Sequence, residues 1–223
     1  MKVNRIGSRG FIFTFDELLN TEFNCTTNVY LIDGKSHIFI CDTFLGPKSM
    51  LLIKKFIDKY LVKKDIVIFN SHSDWDHIWG NCFFKEELIV AHEKCRENIE
   101  KNANTELNKY KDYCQGKVSI CTPNFTFTDR IYFYEEGIEF IYSPGHTNDS
   151  ASCIDKVDNI LFVGDNVESP SPYLNNNNFN EYKKTLTDYI SIGAEVIVPG
   201  HGEVTDYDLV RRNLEYIKKL GSI

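Results

Sequence analysis

Residues 66–77 read Ile66-Val67-Ile68-Phe69-Asn70-Ser71-His72-Ser73-Asp74-Trp75-Asp76-His77. A short apolar run of buried-strand type stops at a turn-prone Asn-Ser pair, and four nitrogen or oxygen donors follow at once. In an extended conformation, alternation sends His72, Asp74 and Asp76 to one side, while a turn beginning near Asp76 brings His77 round from another angle. One such loop can serve two metal ions. Imidazole together with carboxylate suits zinc, iron or manganese, and an open coordination position lets bound water become hydroxide at a usable pH. A plainer use of the same residues also exists: Asp74 or Asp76 can cap a helix that starts near His77.

The same punctuation recurs further along the chain. Ile138 to Tyr142 is followed by Ser143-Pro144-Gly145-His146, Ile160 to Val163 by Gly164-Asp165, and Val196 to Val198 by Pro199-Gly200-His201. A single Pro-Gly-His or Gly-Asp is usually a turn. Taken together, however, these runs each present a His or Asp just beyond a strand, and loops at the carboxyl ends of strands in layered α/β proteins converge on one crevice. The expectation is that His72, His146, Asp165 and His201 meet in space.

Around these runs, strands and helices alternate. Phe11 to Phe15, Asn28 to Ile32 and Ser36 to Ile40 read as strands, the last two joined through an Asp33-Gly34 turn. Lys48 to Tyr60 places Met50, Ile53, Phe56, Ile57 and Tyr60 at helical spacing, and Glu93 to Tyr113, polar and free of Gly and Pro, reads as a long surface helix. Leu88 to Ala91, Thr126 to Phe127, Arg130 to Tyr134 and Ser152 to Asp155 complete the strands. Phe179 to Ile192 and Asp206 to Leu220 are helices bracketing Val196 to Val198. No internal repeat is visible. Asn175 to Asn178, after Pro170 and Pro172, is the one low-complexity tract; it reads as a loop, and a lid over residues 170–180 is the alternative.

The chain has 223 residues, which predicts a single domain over residues 1–223. At that length about 70% of the unfolded surface is buried on folding, so no disulfide or structural metal is needed as a staple. Twenty-five Lys and Arg against 32 Asp and Glu give a net charge of −7, without long runs of like charge. That balance disfavours nucleic acid and anionic membranes as partners and points to a small-molecule substrate. No apolar stretch approaches the roughly 20 residues of a membrane span. The first ten residues hold no leader-like apolar run, so a cytoplasmic location is expected. The seven cysteines are odd in number, with no Cys-x-x-Cys pair, and read mostly as reduced core thiols.

On these motifs and their order the chain resembles the metallo-β-lactamase-fold hydrolases, a superfamily marked by His-x-His-x-Asp-His, a later Gly-His, a Gly-Asp and a final Gly-His. Asn28-Val29-Tyr30-Leu31-Ile32 through Asp42-Thr43 also resembles that family's opening hairpin. The resemblance spans nearly the whole chain and implies an α/β (α+β) fold: a four-layer αββα sandwich of two mixed β-sheets with outer helices and a two-metal site at one edge. Carried over by position, it implies that His72, Asp74 and His146 hold one metal, that Asp76, His77 and His201 hold the second, and that Asp165 bridges them. Asp74 stands where the family usually has His. The second His of the family's zinc enzymes commonly binds through Nδ1, and a carboxylate oxygen is likewise bonded to Cγ, so Asp reaches a similar point. The extra carboxylate makes the site less positive, hence a weaker Lewis acid that accepts harder ions such as manganese or iron. The flavodiiron relatives also carry a carboxylate there. Two divalent ions are therefore expected as cofactors, zinc first, with iron or manganese accommodated by Asp74.

The function implied is metal-dependent hydrolysis by a binuclear site. Hydroxide shared by the two ions attacks an ester, thioester, lactone or phosphodiester of a small molecule, with Asp76 or Asp165 orienting it. A di-iron protein that binds or reduces oxygen, and a non-catalytic metal-dependent sensor, are the competing classes. His37 and His92 read as structural, and Cys153 as a buried thiol. Trp75 and Trp79 either wall a substrate pocket or pack the motif loop. Tyr173 reads as an exposed loop aromatic. Phe44 and Leu45 form either a core contact or a small apolar patch for a homodimer.

Overall fold

Most predicted strands end where a small or turn-forming residue interrupts an apolar run, and the computed structural model, which describes residues 1–175 and 178–221, assembles these runs into two sheets. The first holds β1 (Lys2–Ile6), β2 (Gly10–Phe15), β3 (Thr27–Asp33), β4 (His37–Cys41), β5 (Asp65–Asn70), β6 (Leu88–His92) and β7 (Phe125–Phe127) in sequence order. Pairing is antiparallel from β1 to β4 and parallel from β4 to β7. The second sheet holds β8 (Arg130–Phe133), β9 (Ile138–Tyr142), β10 (Ala151–Asp155), β11 (Ile160–Gly164) and β12 (Val196–Pro199). In it β9 and β11 both run antiparallel to β10, and β12 runs parallel to β11. Thus β9, β11 and β12 point the same way, and their carboxyl ends share one edge.

Side-chain alternation then divides the apolar residues into three cores. Tyr30 and Ile32 of β3, Val67 and Phe69 of β5 face Phe140 of β9 and Phe162 of β11 between the sheets. Phe69 and Phe140 stack there with centroids 4.2 Å apart. The intervening residues, Val29, Leu31, Ile66 and Ile68, face outward onto α1 (Pro47–Tyr60) and α3 (Glu93–Lys109). Leu161, Val163 and Ile197 pack instead against α4 (Phe179–Ile192) and α5 (Tyr207–Leu220). Both faces of each sheet are covered, which is why the central strands read as continuous apolar runs rather than as clean alternation. The result is the expected four-layer arrangement.

The helix boundaries follow local chemistry. Pro47 sits in the first turn of α1, where its missing N–H costs nothing, and the Asp206 side chain caps α5 by accepting from the Asp208 amide. The long helix ends at Lys109, earlier than the Tyr113 expected, and Lys111–Tyr113 continues as a separate 3₁₀ turn. The edge strand β1 went unpredicted because its residues are almost all exposed and include Lys2, Asn4 and Arg5. Phe44 and Leu45 are 0% and 1% exposed, so they belong to the core and supply no dimer patch. Residues 176 and 177 of the Asn-rich tract lie outside the described residues. No helix among the described residues is long and apolar enough to cross a membrane.

A charged brace pins the two sheets on the side of the β1–β2 turn. Arg9 donates from Nη2 to Asp155 Oδ1 at 2.6 Å and from Nε to Asp155 Oδ2 at 3.2 Å, and Nη2 also reaches the Glu136 carbonyl at 2.8 Å. Asp155 is wholly buried. Removing its partner leaves an uncompensated interior charge, so Arg9→Met is expected to destabilise the fold by about 3 kcal/mol, read as a lowered denaturant midpoint with an unchanged slope.

Candidate metal centre

Beyond β5 the chain bends at Ser71, runs on to an extended Asp74 and turns into the short helix α2 (Trp75–Ile78). Asp74 occupies the position that caps α2, yet its side chain makes no capping hydrogen bond, which rules out the plainer reading for this residue. Its Oδ2 instead lies 3.4 Å from His146 Nε2 and 3.6 Å from His72 Nε2. His77, one residue past Asp76 in the first turn of α2, directs Nε2 to within 3.7 Å of Asp76 Oδ2 and 3.3 Å of His201 Nε2. His146, Asp165 and His201 arrive from just beyond β9, β11 and β12. The structure therefore brings all seven sequence-predicted ligands, His72, Asp74, Asp76, His77, His146, Asp165 and His201, to one edge of the sandwich.

They fall into two sets around a single atom. Asp165 Oδ2 is 3.6 Å from His72 Nε2 and 3.8 Å from His146 Nε2 on one side, and 3.4 Å from His77 Nε2 and 3.2 Å from His201 Nε2 on the other. Donors held about 2.0–2.1 Å from a tetrahedral ion lie roughly 3.3–3.4 Å from one another, and the separations within the two sets run from 3.2 to 3.8 Å around that spacing. His72 Nε2 and Asp165 Oδ1 are buried and accept or donate no hydrogen bond, a cost that a bound cation would remove. The residues fit two metal ions that share Asp165.

The outer hydrogen bonds fix which nitrogen each imidazole presents. Nδ1 of His146 faces the Tyr173 carbonyl at 3.0 Å, and that of His201 faces the Thr26 carbonyl at 3.0 Å. A carbonyl only accepts, so both Nδ1 atoms carry the proton. His77 Nδ1 meets Asp42 Oδ2 at 2.8 Å. Ser71 Oγ donates its proton to the same Asp42 oxygen at 2.7 Å and so accepts from His72 Nδ1 at 2.9 Å. All four rings thus turn Nε2 inward, toward the carboxylates of the cluster.

Asp42 is the residue that site prediction missed. It is wholly buried at the end of β4, has a φ of 64°, and anchors both the Ser71 amide and His77. Glu168, three residues beyond Asp165, was also missed; one of its oxygens lies in the same close group as Asp165 and His201. Two glycines permit this crowding. A Cβ on Gly200 would collide with Asp165 Oδ1 and come within 2.9 Å of His77 Cε1, and one on Gly164 would sit 2.7 Å from Ser71 Oγ. The remaining candidates are structural. His92 caps α3 by accepting from the Lys94 amide, His37 pairs with Glu136, Cys153 is buried, and Trp79 is a core residue. Trp75 lines the cleft and stacks on Tyr110. Tyr173 is 66% exposed; its carbonyl meets His146 Nδ1, and its ring lies 6.2 Å from the His146 ring.

Without metal, these groups hold one another in charged form. Burial opposes ionisation of Asp165, but the charges of His201, His77 and His72 outweigh it and keep the carboxyl well below the usual range. Burial likewise disfavours a charged His146, yet the hydrogen bond to Asp74 and the charge of Asp165 push it up to about 9. Asp74 is held low, against burial, by His72 and His146.

The metallo-beta-lactamase superfamily profile matches residues 23–201, and the chain belongs to that superfamily. A lactamase-like protein aptB from Emericella nidulans is 28% identical over 198 residues, and a lactamase-like protein nscB from Arthroderma benhamiae is 28% identical over 196. Each alignment covers 86% of this chain but only 56% and 39% of those proteins, so the chain spans about half or less of their length. Among solved structures, the DIM-1 metallo-beta-lactamase exposed to ceftazidime superposes with a TM-score of 0.80 at 17% identity, covering 98% of this chain and 97% of its own. A metallo-beta-lactamase from Pontibacter korlensis gives 0.77 at 20% identity, over 97% and 98%. These likenesses establish the fold.

Asp42→Asn and Gly200→Ala are each expected to weaken metal binding by roughly 10–100-fold while leaving the far-ultraviolet spectrum unchanged, measured by chelator competition. Proton linkage gives a second expectation. Because His146 is raised, its stabilisation of the metal-free protein is complete below pH ~6.5 and lost as pH climbs through about 9. Metal must displace that proton, so affinity should rise over the same window, and a flat affinity profile would contradict the assignment.

Proposed function

We propose that the chain is a small-molecule hydrolase that works with two divalent metal ions held by His72, Asp74 and His146, by Asp76, His77 and His201, and by Asp165 between them. The observation that carries this reading is the single oxygen, Asp165 Oδ2, lying between two sets of imidazole nitrogens. Bound there, the ions would polarise a carbonyl or phosphoryl oxygen and make hydroxide available near neutral pH. Esters, thioesters, lactones and phosphodiesters are the bonds open to such a site.

The chain's own groups do the positioning. Asp76 and Asp165 stay ionised despite burial, because His77 and His201 flank them, so each offers an oxygen that can accept a hydrogen bond from the attacking water and orient it. Asp42 and Ser71 lock His77 and His72, keeping both rings aimed at the reacting edge. Asn175 reaches the site from the described part of the Asn-rich loop, its side-chain amide 3.3 Å from Asp74 Oδ2 and 3.1 Å from His146 Nε2. From there it can meet a substrate oxygen.

Asp74 also supports a second reading. Three carboxylates among seven donors reduce the site's positive charge and suit harder ions, which favours iron and redox chemistry with an external electron donor. Elemental analysis of protein purified without added metal separates the two. About two equivalents of zinc or manganese, with hydrolysis lost by more than about a hundredfold in His72→Ala and Asp165→Ala, is the expected result. Two equivalents of iron with an absorbance change on admitting air would move the redox reading ahead.

A further inference from the structure

The cleft that opens onto the proposed metal centre has a charge pattern of its own. Its volume is about 1210 Å³, and among the described residues lining it none is lysine or arginine. Carboxylates beyond the proposed ligands, Glu22, Glu106, Asp149, Glu168 and Glu203, line it as well. Two divalent ions would be balanced by the ligands Asp74, Asp76 and Asp165 together with one hydroxide, so no charge of the ions is left over for the other five acids, of which burial holds Glu106 and Glu168 above the ordinary carboxylate range. Low-dielectric walls of one sign focus the field on whatever enters.

One wall is built for contact. Asn98, Asn102, Glu106 and Tyr110 recur every fourth residue along α3 and its C-terminal cap, and all four line the cleft. The helix that reads as a surface element in sequence therefore turns a polar stripe toward the site. Glu106 is half-buried; burial, reinforced by the charges of Asp74, Asp76 and Asp149, pushes its carboxyl up to about 7. Asp149, in the same lining, is 0% exposed, and no N–H or O–H among the described residues donates to its oxygens. The group beside it is the thiol of Cys95, a weak donor whose own pKa is raised by burial and by the Asp149 charge. A buried carboxylate in that condition is stabilised by positive charge arriving from outside. Next to Glu106, Trp75 and Tyr110 stack on each other at 4.6 Å and close that side of the cleft with aromatic rings. Lys109 is close enough to feel Glu106 and Glu22, but it is fully exposed with its ammonium over the Tyr110 ring.

Resting on the reading of this cleft as the substrate pocket of a hydrolase, we propose that it selects a cationic substrate, an ester, thioester or lactone bearing an ammonium group, seated against Glu106 on the acidic wall. Carboxylate- and phosphate-bearing compounds are turned away by the same wall, which sets phosphodiesters aside within the range of bonds open to the metal chemistry.

The test uses near-isosteric acetamides bearing a trimethylammonio, a tert-butyl or a sulfo group. Sulfonate serves as the anion because it is a poor metal ligand. Each is titrated calorimetrically into the metal-loaded protein, and the phenyl esters of the same acids are assayed for hydrolysis in parallel. The trimethylammonio amide is expected to bind at least about tenfold more tightly than the sulfo amide, with the tert-butyl amide between them, and the margin should shrink as salt is raised. Glu106→Gln should narrow the preference and Glu106→Lys should invert it, with the folded spectrum retained. Equal or tighter binding of the sulfo amide, or no binding by any of the three, would overturn the proposal. Should the binding order hold while no ester is turned over, the hydrolase reading fails and the charge selection stands. Turnover of all three esters with no order in binding fails the selection alone.

Discussion

One carboxylate oxygen, Asp165 Oδ2, lies within 3.8 Å of the Nε2 atoms of four imidazoles at a buried sheet edge, and the rest of the site is organised around making that position tolerable. A desolvated charge persists only if it is paired and its neighbours are held still. The pairing comes from three strand ends that the sheet topology aligns and a fourth loop delivered by β5. The rigidity comes from Asp42, Ser71 and the carbonyls of Thr26 and Tyr173, which occupy the outer nitrogens. Gly164 and Gly200 are required because side chains there would fill the space that the cluster itself needs.

The alternation of strands and helices was legible in sequence because both faces of each central strand are apolar and each run is closed by a small or polar residue. The ligands were legible for the same reason: each follows directly on such a closure. Asp42 was harder to assign. It too follows a strand, but it touches no other ligand in sequence, and its role depends on a left-handed backbone that turns it back under Ser71 and His77. Glu168 lies outside any motif, and only the fold places it beside Asp165. The inward stripe of α3 was hidden because a helix face lining a water-filled cleft has the same polar composition as one facing bulk solvent. Strand β1 was hidden for a related reason, being an exposed edge without an apolar face.

On the proposed reading, metal chemistry and substrate recognition divide between separate parts of the fold. The strand ends supply the charged cluster, whose geometry follows from the sheets. The wall opposite comes from α3 and from the loop after β2, where Glu22, Phe23 and Cys25 line the cleft. Such segments vary without disturbing the sheet edge, which is how one scaffold can host different substrates.

The proposed ligands are also split between the two sheets. His72 and Asp74 lie in the loop after β5 and Asp76 and His77 in the short helix α2 that follows it, whereas His146, Asp165 and His201 follow strands of the second sheet. An ion held by both groups would act as a clamp across the sandwich, and only the fully assembled chain could bind it. Melting temperature then becomes a function of free metal: an ion present at about a hundred times its dissociation constant adds roughly 2.7 kcal/mol to the native state. Because these donors lie far apart along the chain, loop closure must come first, so metal would secure the finished fold rather than guide its early steps.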